Sequence, residues 1–81
     1  MQDEWFVYIV ECSDGTYYTG ITKDVDERIR QHNHTKRAAA YTRSRRPVHL
    51  RHMEGPFDKS AALKRERFIK SLKRAQKEGL L

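Results

Sequence analysis

The chain has 81 residues, 37% hydrophobic and 35% charged, so it has room for one domain whose modest core must come from a few patterned segments. Its formal charge of +6 is unevenly placed: residues 1–21 carry Asp3, Glu4, Glu11 and Asp14 and no lysine or arginine, while all 17 basic residues follow, against seven acids. The single cysteine, Cys12, excludes an internal disulfide, and the longest apolar run, Trp5 to Val10, is far too short to span a bilayer and wrongly flanked for a signal peptide.

Trp5 to Cys12 is aromatic and β-branched and apolar on both faces, which predicts a buried strand. Ser13-Asp14-Gly15 is a hairpin signal, and Thr16 to Ile21 is the returning strand. Asp24 can cap a helix from Val25 to Asn33, with Glu27 three positions later completing a capping box. Residues 34–46 are basic, contain an alanine triplet and predict a short helix followed by a loop that Pro47 closes. Val48 to Glu54 predicts a third strand, Gly55-Pro56 a turn, and Ala61 to Lys77 the longest helix, capped by Asp58 or Ser60. With no repeat or linker, residues 1–81 read as a single domain with its core at about 5–77. The order β-β-α-α-β-α implies a small α+β fold, an antiparallel sheet with helices packed on it.

Several residues lie where chemistry could use them. On the first predicted helix, Val25 and Ile29 define the buried stripe, and Arg28 and His32 lie directly beside it. Both could serve packing, with Arg28 snorkelling over the sheet edge and His32 a satisfied boundary histidine. On the long helix, Glu66 has Ala62, Leu63 and Ile69 as its apolar neighbours, and Leu72 continues the stripe. A carboxylate there needs a cation, supplied by an ion pair with Arg28 or by a bound Mg²⁺. With a three-residue hairpin loop Tyr8 faces Gly20 and Tyr18 faces Val10, all on one side; a two-residue loop would split the tyrosines. Two core tyrosines would be unremarked in a strand, but Gly20 beside them suits a close approach by a ligand or another backbone. The pairs His32/His34 and His49/His52 lack zinc-site spacing, Cys12 has no convincing partner for nucleophilic work, and no phosphate-cradling glycine loop is present.

Val7-Tyr8-Ile9, with Tyr18-Thr19-Gly20 following ten residues on, Arg28 ten beyond that and His32 one turn further, resembles the GIY-YIG nuclease motif. Tyr41-Thr42-Arg43, Arg45-Arg46-Pro47 and Ala62 to Leu72 extend the resemblance over nearly the whole chain, which looks most like the short, stand-alone bacterial members. Phe6 stands where the family name has its first glycine, and Thr19 is the middle residue of the second motif. A catalytic asparagine found in some repair members has no counterpart, Asn33 being the one asparagine in the chain.

The resemblance implies a three-stranded antiparallel sheet flanked by helices, and cleavage of DNA phosphodiesters with one Mg²⁺ or Mn²⁺ ion. Glu66 then holds the metal, Arg28 stabilises transition-state charge, Tyr8 or His32 is the base, and Tyr18 positions water or phosphate. Gly20, Lys36, Arg37, Tyr41, Arg43, Arg45 and Arg46 are expected to meet the substrate. The expected partner is nucleic acid, DNA first, in repair or processing, with a second protein supplying specificity and no membrane; the expected compartment is the cytoplasm. The alternative is a nucleic-acid-binding module of the same fold with little or no catalysis.

Overall fold

A computed structural model describes residues 4–81; Asp3, counted above among the N-terminal acids, lies outside them. The elements are β1 (Trp5–Glu11), β2 (Tyr17–Thr22), α1 (Val25–His34), α2 (Ala40–Arg43), β3 (His49–Phe57), α3 (Lys59–Ser71) and α4 (Arg74–Glu78). The strands form one antiparallel sheet in the order β2-β1-β3. This is the α+β fold expected from the sequence, with one further short helix at the end.

The β1–β2 connection is the three-residue loop. Gly15 takes φ +83°, a conformation open to glycine at little cost, and Cys12 N–H donates to the Thr16 carbonyl at 2.7 Å. The resulting register sets Tyr8 against Gly20 and Val10 against Tyr18, so the two tyrosines share a face. Alternation along β1 then builds two cores. Val7 and Ile9 pack with Ala62 and Ile69 of α3, while Tyr8, Val10 and Cys12 pack with Val48, Tyr18 and Ile29 of α1. Helices α1 and α3 therefore cover opposite faces of the central strand.

Asp24 caps α1, its side chain accepting from Glu27 N–H at 3.0 Å. The capping box is not closed by Glu27, whose carboxylate pairs with Arg30; Thr22 Oγ1 accepts from the Asp24 N–H instead. Asp58 caps α3 through Ala61 N–H.

Two boundaries differ from the sequence expectation. Strand β3 does not stop at a turn but runs through Gly55-Pro56 to Phe57. A proline is tolerated there because β3 is an edge strand, and a shift of register between Trp5 and Val7 absorbs the extra residue. Gly55, at φ +138°, has the Trp5 carbonyl where a Cβ would come within 2.7 Å. The second difference is that the long helix breaks at Leu72, which is extended, before α4 restarts with Gln76 Oε1 accepting from Lys73 N–H. The break turns α4 toward the hairpin: Arg74 donates to the Gly15 carbonyl and lies over Tyr17, and Leu80 joins the Val7 and Ile9 core. The predicted apolar stripe of α3 changes too, since Leu63 is exposed.

An ion cluster fixes α3 to β3. Glu54 accepts from Arg65 Nε at 2.6 Å and Nη2 at 2.9 Å, and contacts His52 Nε2 at 2.8 Å. The Arg65 donors hold the Glu54 carboxyl down at about 2, against the opposing effect of burial. Glu54→Gln is expected to lower stability by about 1 kcal/mol at neutral pH, the usual scale for a partly solvated bidentate pair. Urea unfolding would read it, and a midpoint equal to that of the parent protein would refute it.

Candidate functional site

Tyr8 and His32 form the centre of the site, and His32 is more deeply placed than helix geometry alone indicated. Tyr8 is 1% exposed and His32 0% exposed, so His32 is a core residue and not one at the boundary. Tyr8 Oη lies 2.8 Å from His32 Nε2, and His32 Nδ1 lies 2.8 Å from Thr42 Oγ1. The Thr42 hydroxyl also lies 3.1 Å from the Ala39 carbonyl, which it can meet only as a donor; with its proton there, it accepts from His32 Nδ1. In that arrangement the ring proton is on Nδ1, Nε2 is an acceptor, and Tyr8 is the donor to it.

Gly20 gives the Tyr8 ring its place. A Cβ on Gly20 would lie 2.6 Å from Tyr8 Oη and 2.8 Å from Cζ, so the close approach that this glycine permits is by the Tyr8 phenol. The neighbouring rings form a cluster. Tyr18 meets His32 edge-on with centroids 5.4 Å apart and stacks on Tyr41 at 6.0 Å. The Arg45 guanidinium lies over the Tyr41 ring, 3.9 Å from its centroid.

Charges approach this cluster from both faces of the sheet. Burial pushes the Tyr8 phenol up to about 12; Arg28 opposes that rise, while Tyr18 and Glu66 add to it. His32 is pushed the other way, to about 4, first by burial and then by the positive charges of Arg28 and Arg46. Both members of the pair are consequently neutral at pH 7. Arg28 is half-buried and anchored, donating from Nη1 to Gln31 Oε1 at 2.9 Å and to the Arg37 carbonyl at 2.8 Å. It makes no ion pair with Glu66 among the described residues. The Glu66 carboxylate, 18% exposed, pairs with Lys70 one turn on at 3.3 Å.

The basic stretch between α1 and β3 divides into two groups. Arg43 donates to the Lys36 and Ala38 carbonyls, Arg45 to Asp14 and the Tyr41 carbonyl, and Arg46 to the carbonyls of His32 and Thr35. These three arginines tie the loop together, which the sequence did not indicate. Lys36 and Arg37 are exposed. Asn33 closes the same region, exchanging two hydrogen bonds with the backbone of Val48. Thr42 stands in the Tyr41-Thr42-Arg43 stretch, but only its two neighbours were expected at the site: nothing in its spacing shows that its hydroxyl faces His32.

Among the described residues no helix is long and apolar enough to cross a membrane, and no group of three His, Cys, Asp or Glu side chains could hold a metal ion. A lone, partly solvated carboxylate at Glu66 suits a hard cation that keeps most of its waters and takes the rest of its ligands from a substrate phosphate, as Mg²⁺ does. It does not suit zinc, which needs several protein ligands.

Residues 4–79 match the GIY-YIG catalytic domain family. The chain is 58% identical over 74 residues to a UPF0213 protein of Halobacterium salinarum, covering 91% of this chain and 95% of that one. To a UPF0213 protein of Staphylococcus aureus it is 52% identical over 79 residues, covering 98% and 95% of the two chains. The solution structure of the UPF0213 protein BH0048 from Bacillus halodurans superimposes with a TM-score of 0.60 at 43% identity, covering 95% of this chain and 81% of that one. With the paired motif tyrosines on one face of the sheet and the match extending over almost its full length, the chain belongs to the GIY-YIG family.

Proposed function

We propose that the protein hydrolyses phosphodiester bonds of nucleic acid, DNA first, using a divalent Mg²⁺ or Mn²⁺ ion held at Glu66. The observation that carries this reading is the hydrogen-bonded Tyr8–His32 pair, with the charges of Arg28 and Glu66 both acting on the Tyr8 phenol. His32 is fully buried with both ring nitrogens engaged, so in this reading Tyr8 is the one to meet the attacking water. Tyr8 takes that proton on Oη while passing its own to His32 Nε2. The hydroxide oxygen bonds to phosphorus as the bond to the leaving sugar oxygen breaks, and that oxygen takes a proton from solvent. Because the phenol pKa is near 12, a Tyr8 anion is not available in advance, and the two proton transfers have to move together. Arg28 stabilises charge on the transferring phosphoryl group with its fixed fork of donors. A metal ion at Glu66 would neutralise charge on the scissile phosphate. Lys36 and Arg37, exposed beside Arg28, would hold the backbone electrostatically.

Repair or processing of damaged or branched DNA in the cytoplasm, with a partner protein supplying target choice, is the setting that fits such a small basic domain. The near-complete burial of Tyr8 favours a second reading, a binding module in which the same network is purely structural.

Incubation with Mg²⁺ or Mn²⁺ and single-stranded, duplex and branched DNA separates the two. Cleavage is expected, and Arg28→Ala and Glu66→Gln should each reduce it about a hundredfold with the fold retained by circular dichroism. Cleavage undiminished in Glu66→Gln would refute the site. Binding without cleavage in all three proteins would establish the binding module.

A further inference from the structure

We infer that Thr42 is a positioning residue for the Tyr8–His32 pair, fixing the imidazole as its Nδ1–H tautomer so that the Tyr8 proton points inward to Nε2 and the lone pairs of Tyr8 Oη are left to accept from Arg28 and the attacking water. The catalytic half of this inference rests on the hydrolytic reading above; the tautomer does not. Thr42 is 0% exposed, and its hydroxyl has one donor, which the Ala39 carbonyl takes. Oγ1 lies 2.8 Å from His32 Nδ1, and while the hydroxyl proton stays on the Ala39 carbonyl that contact is a hydrogen bond only with the ring proton on Nδ1. In the opposite tautomer the Thr42 hydroxyl would have to give up the Ala39 carbonyl and turn its proton to Nδ1, and Nε2 would donate to Tyr8 Oη. The phenol proton would then turn away from His32, toward the place where a water must give up its own.

Helix α2, only four residues long, is held for this task from several sides. Arg43 and Arg45 bond the Ala38 and Tyr41 carbonyls just ahead of Thr42, and ring contacts with Tyr18 and Arg45 fix Tyr41, the residue before it. The Ala39 carbonyl anchors the turn as well, accepting from the Thr42 N–H at 3.1 Å and the Arg43 N–H at 3.0 Å. A side chain that merely filled space here would not need its hydroxyl in line with the imidazole.

The test compares Thr42→Val, which keeps the shape and removes the hydroxyl, with Thr42→Ser, which keeps the hydroxyl. Long-range ¹H–¹⁵N correlation of the histidine rings reads the tautomer without substrate or metal. The expected result is a pyrrole-type Nδ1 and a pyridine-type Nε2 for His32 in the parent protein and in Thr42→Ser, and loss of that pattern in Thr42→Val. On a cleavable DNA, Thr42→Val should lose at least about tenfold in kcat with KM little changed, and Thr42→Ser should recover most of it. A protonated Nε2 in the parent protein, or an unaltered pattern and kcat in Thr42→Val, would overturn the inference. If the tautomer responds as expected but the parent protein cuts no DNA, the hydrolytic reading falls and takes the catalytic half with it, while the hold of Thr42 on the ring stands.

Discussion

Gly20→Ala is expected to destabilise the protein by about 3 kcal/mol, at the upper end of what overpacking a well-filled core costs. Strand propensity alone argues the other way, because alanine removes unfolded-state freedom that glycine has, a gain of less than about 1 kcal/mol. Packing decides the sign. The new methyl would lie 2.6 Å from Tyr8 Oη and 2.8 Å from Cζ, well inside van der Waals contact. Those atoms are the far end of a side chain, but not of a flexible one: the ring is 1% exposed, hydrogen-bonded to His32, and set among Tyr18, His32 and Val10. Relief requires swinging the phenol off His32, which leaves a buried imidazole nitrogen without a donor. Urea unfolding measures the loss, and a Gly20→Ala midpoint within about 0.5 kcal/mol of the parent would refute it. Combining the substitution with Tyr8→Phe removes the nearest atom, so the double variant should be more stable than the sum of the single losses predicts.

The same contact explains how much of the site could be read in the sequence. Gly20 in a strand is a legible anomaly, and pairing it with Tyr8 needs only the length of the hairpin loop. That length was open on residues alone, because Asp14-Gly15 also makes a good two-residue turn; the structure has the three-residue loop, with Gly15 at positive φ. Capping by Asp24 and Asp58 was legible because a carboxylate before a helical run has little else to do. Glu66 stood out as a carboxylate on an apolar stripe, but its partner did not. Lys70, one turn on, meets it, and Arg28 binds Gln31 and the Arg37 carbonyl instead.

What stayed hidden depends on the third dimension. The break at Leu72 answers a need farther along the face that α3 covers, where Tyr17, Gly15 and the Val7 core accept the end of the chain, and no local signal in the helical run announces it. The run of arginines from Arg43 to Arg46 has the composition of a phosphate-binding surface, yet their donors are directed at loop carbonyls. Charge counting cannot tell the two uses apart, because a guanidinium satisfies a carbonyl as readily as a phosphate. His32 looked marginal on a helical wheel, whereas the covering Tyr18 and α2 bury it completely.

That burial leads to the second large effect: the protein should lose up to about 3 kcal/mol of stability as the pH falls from 6.5 to 4, through His32 alone. His32 ionises near 4 in the folded protein against 6.5 for an ordinary histidine, burial being the larger cause and the charges of Arg28 and Arg46 the lesser. Between those values the unfolded chain binds the proton and the folded one does not, so acid favours unfolding. The contribution is intact above 6.5, declines through the window, and is gone below 4. Its size follows from the width of that window at about 1.4 kcal/mol per pH unit. Because the ring is fully buried, no discount for solvent screening applies. Carboxylates held low, such as Glu54 at about 2, give way below their unfolded value of 4.5 and so act mainly at lower pH. Urea unfolding at pH 7.5, 6, 5 and 4 would be compared with the same series for His32→Gln. That variant should start less stable, since Tyr8 and Thr42 lose a well-fitted partner, but its stability should change little between pH 6.5 and 5. Parallel curves for the two proteins across that interval would show that His32 takes up its proton in the folded state as readily as in the unfolded one, and that the buried neutral pair with Tyr8 is wrongly assigned.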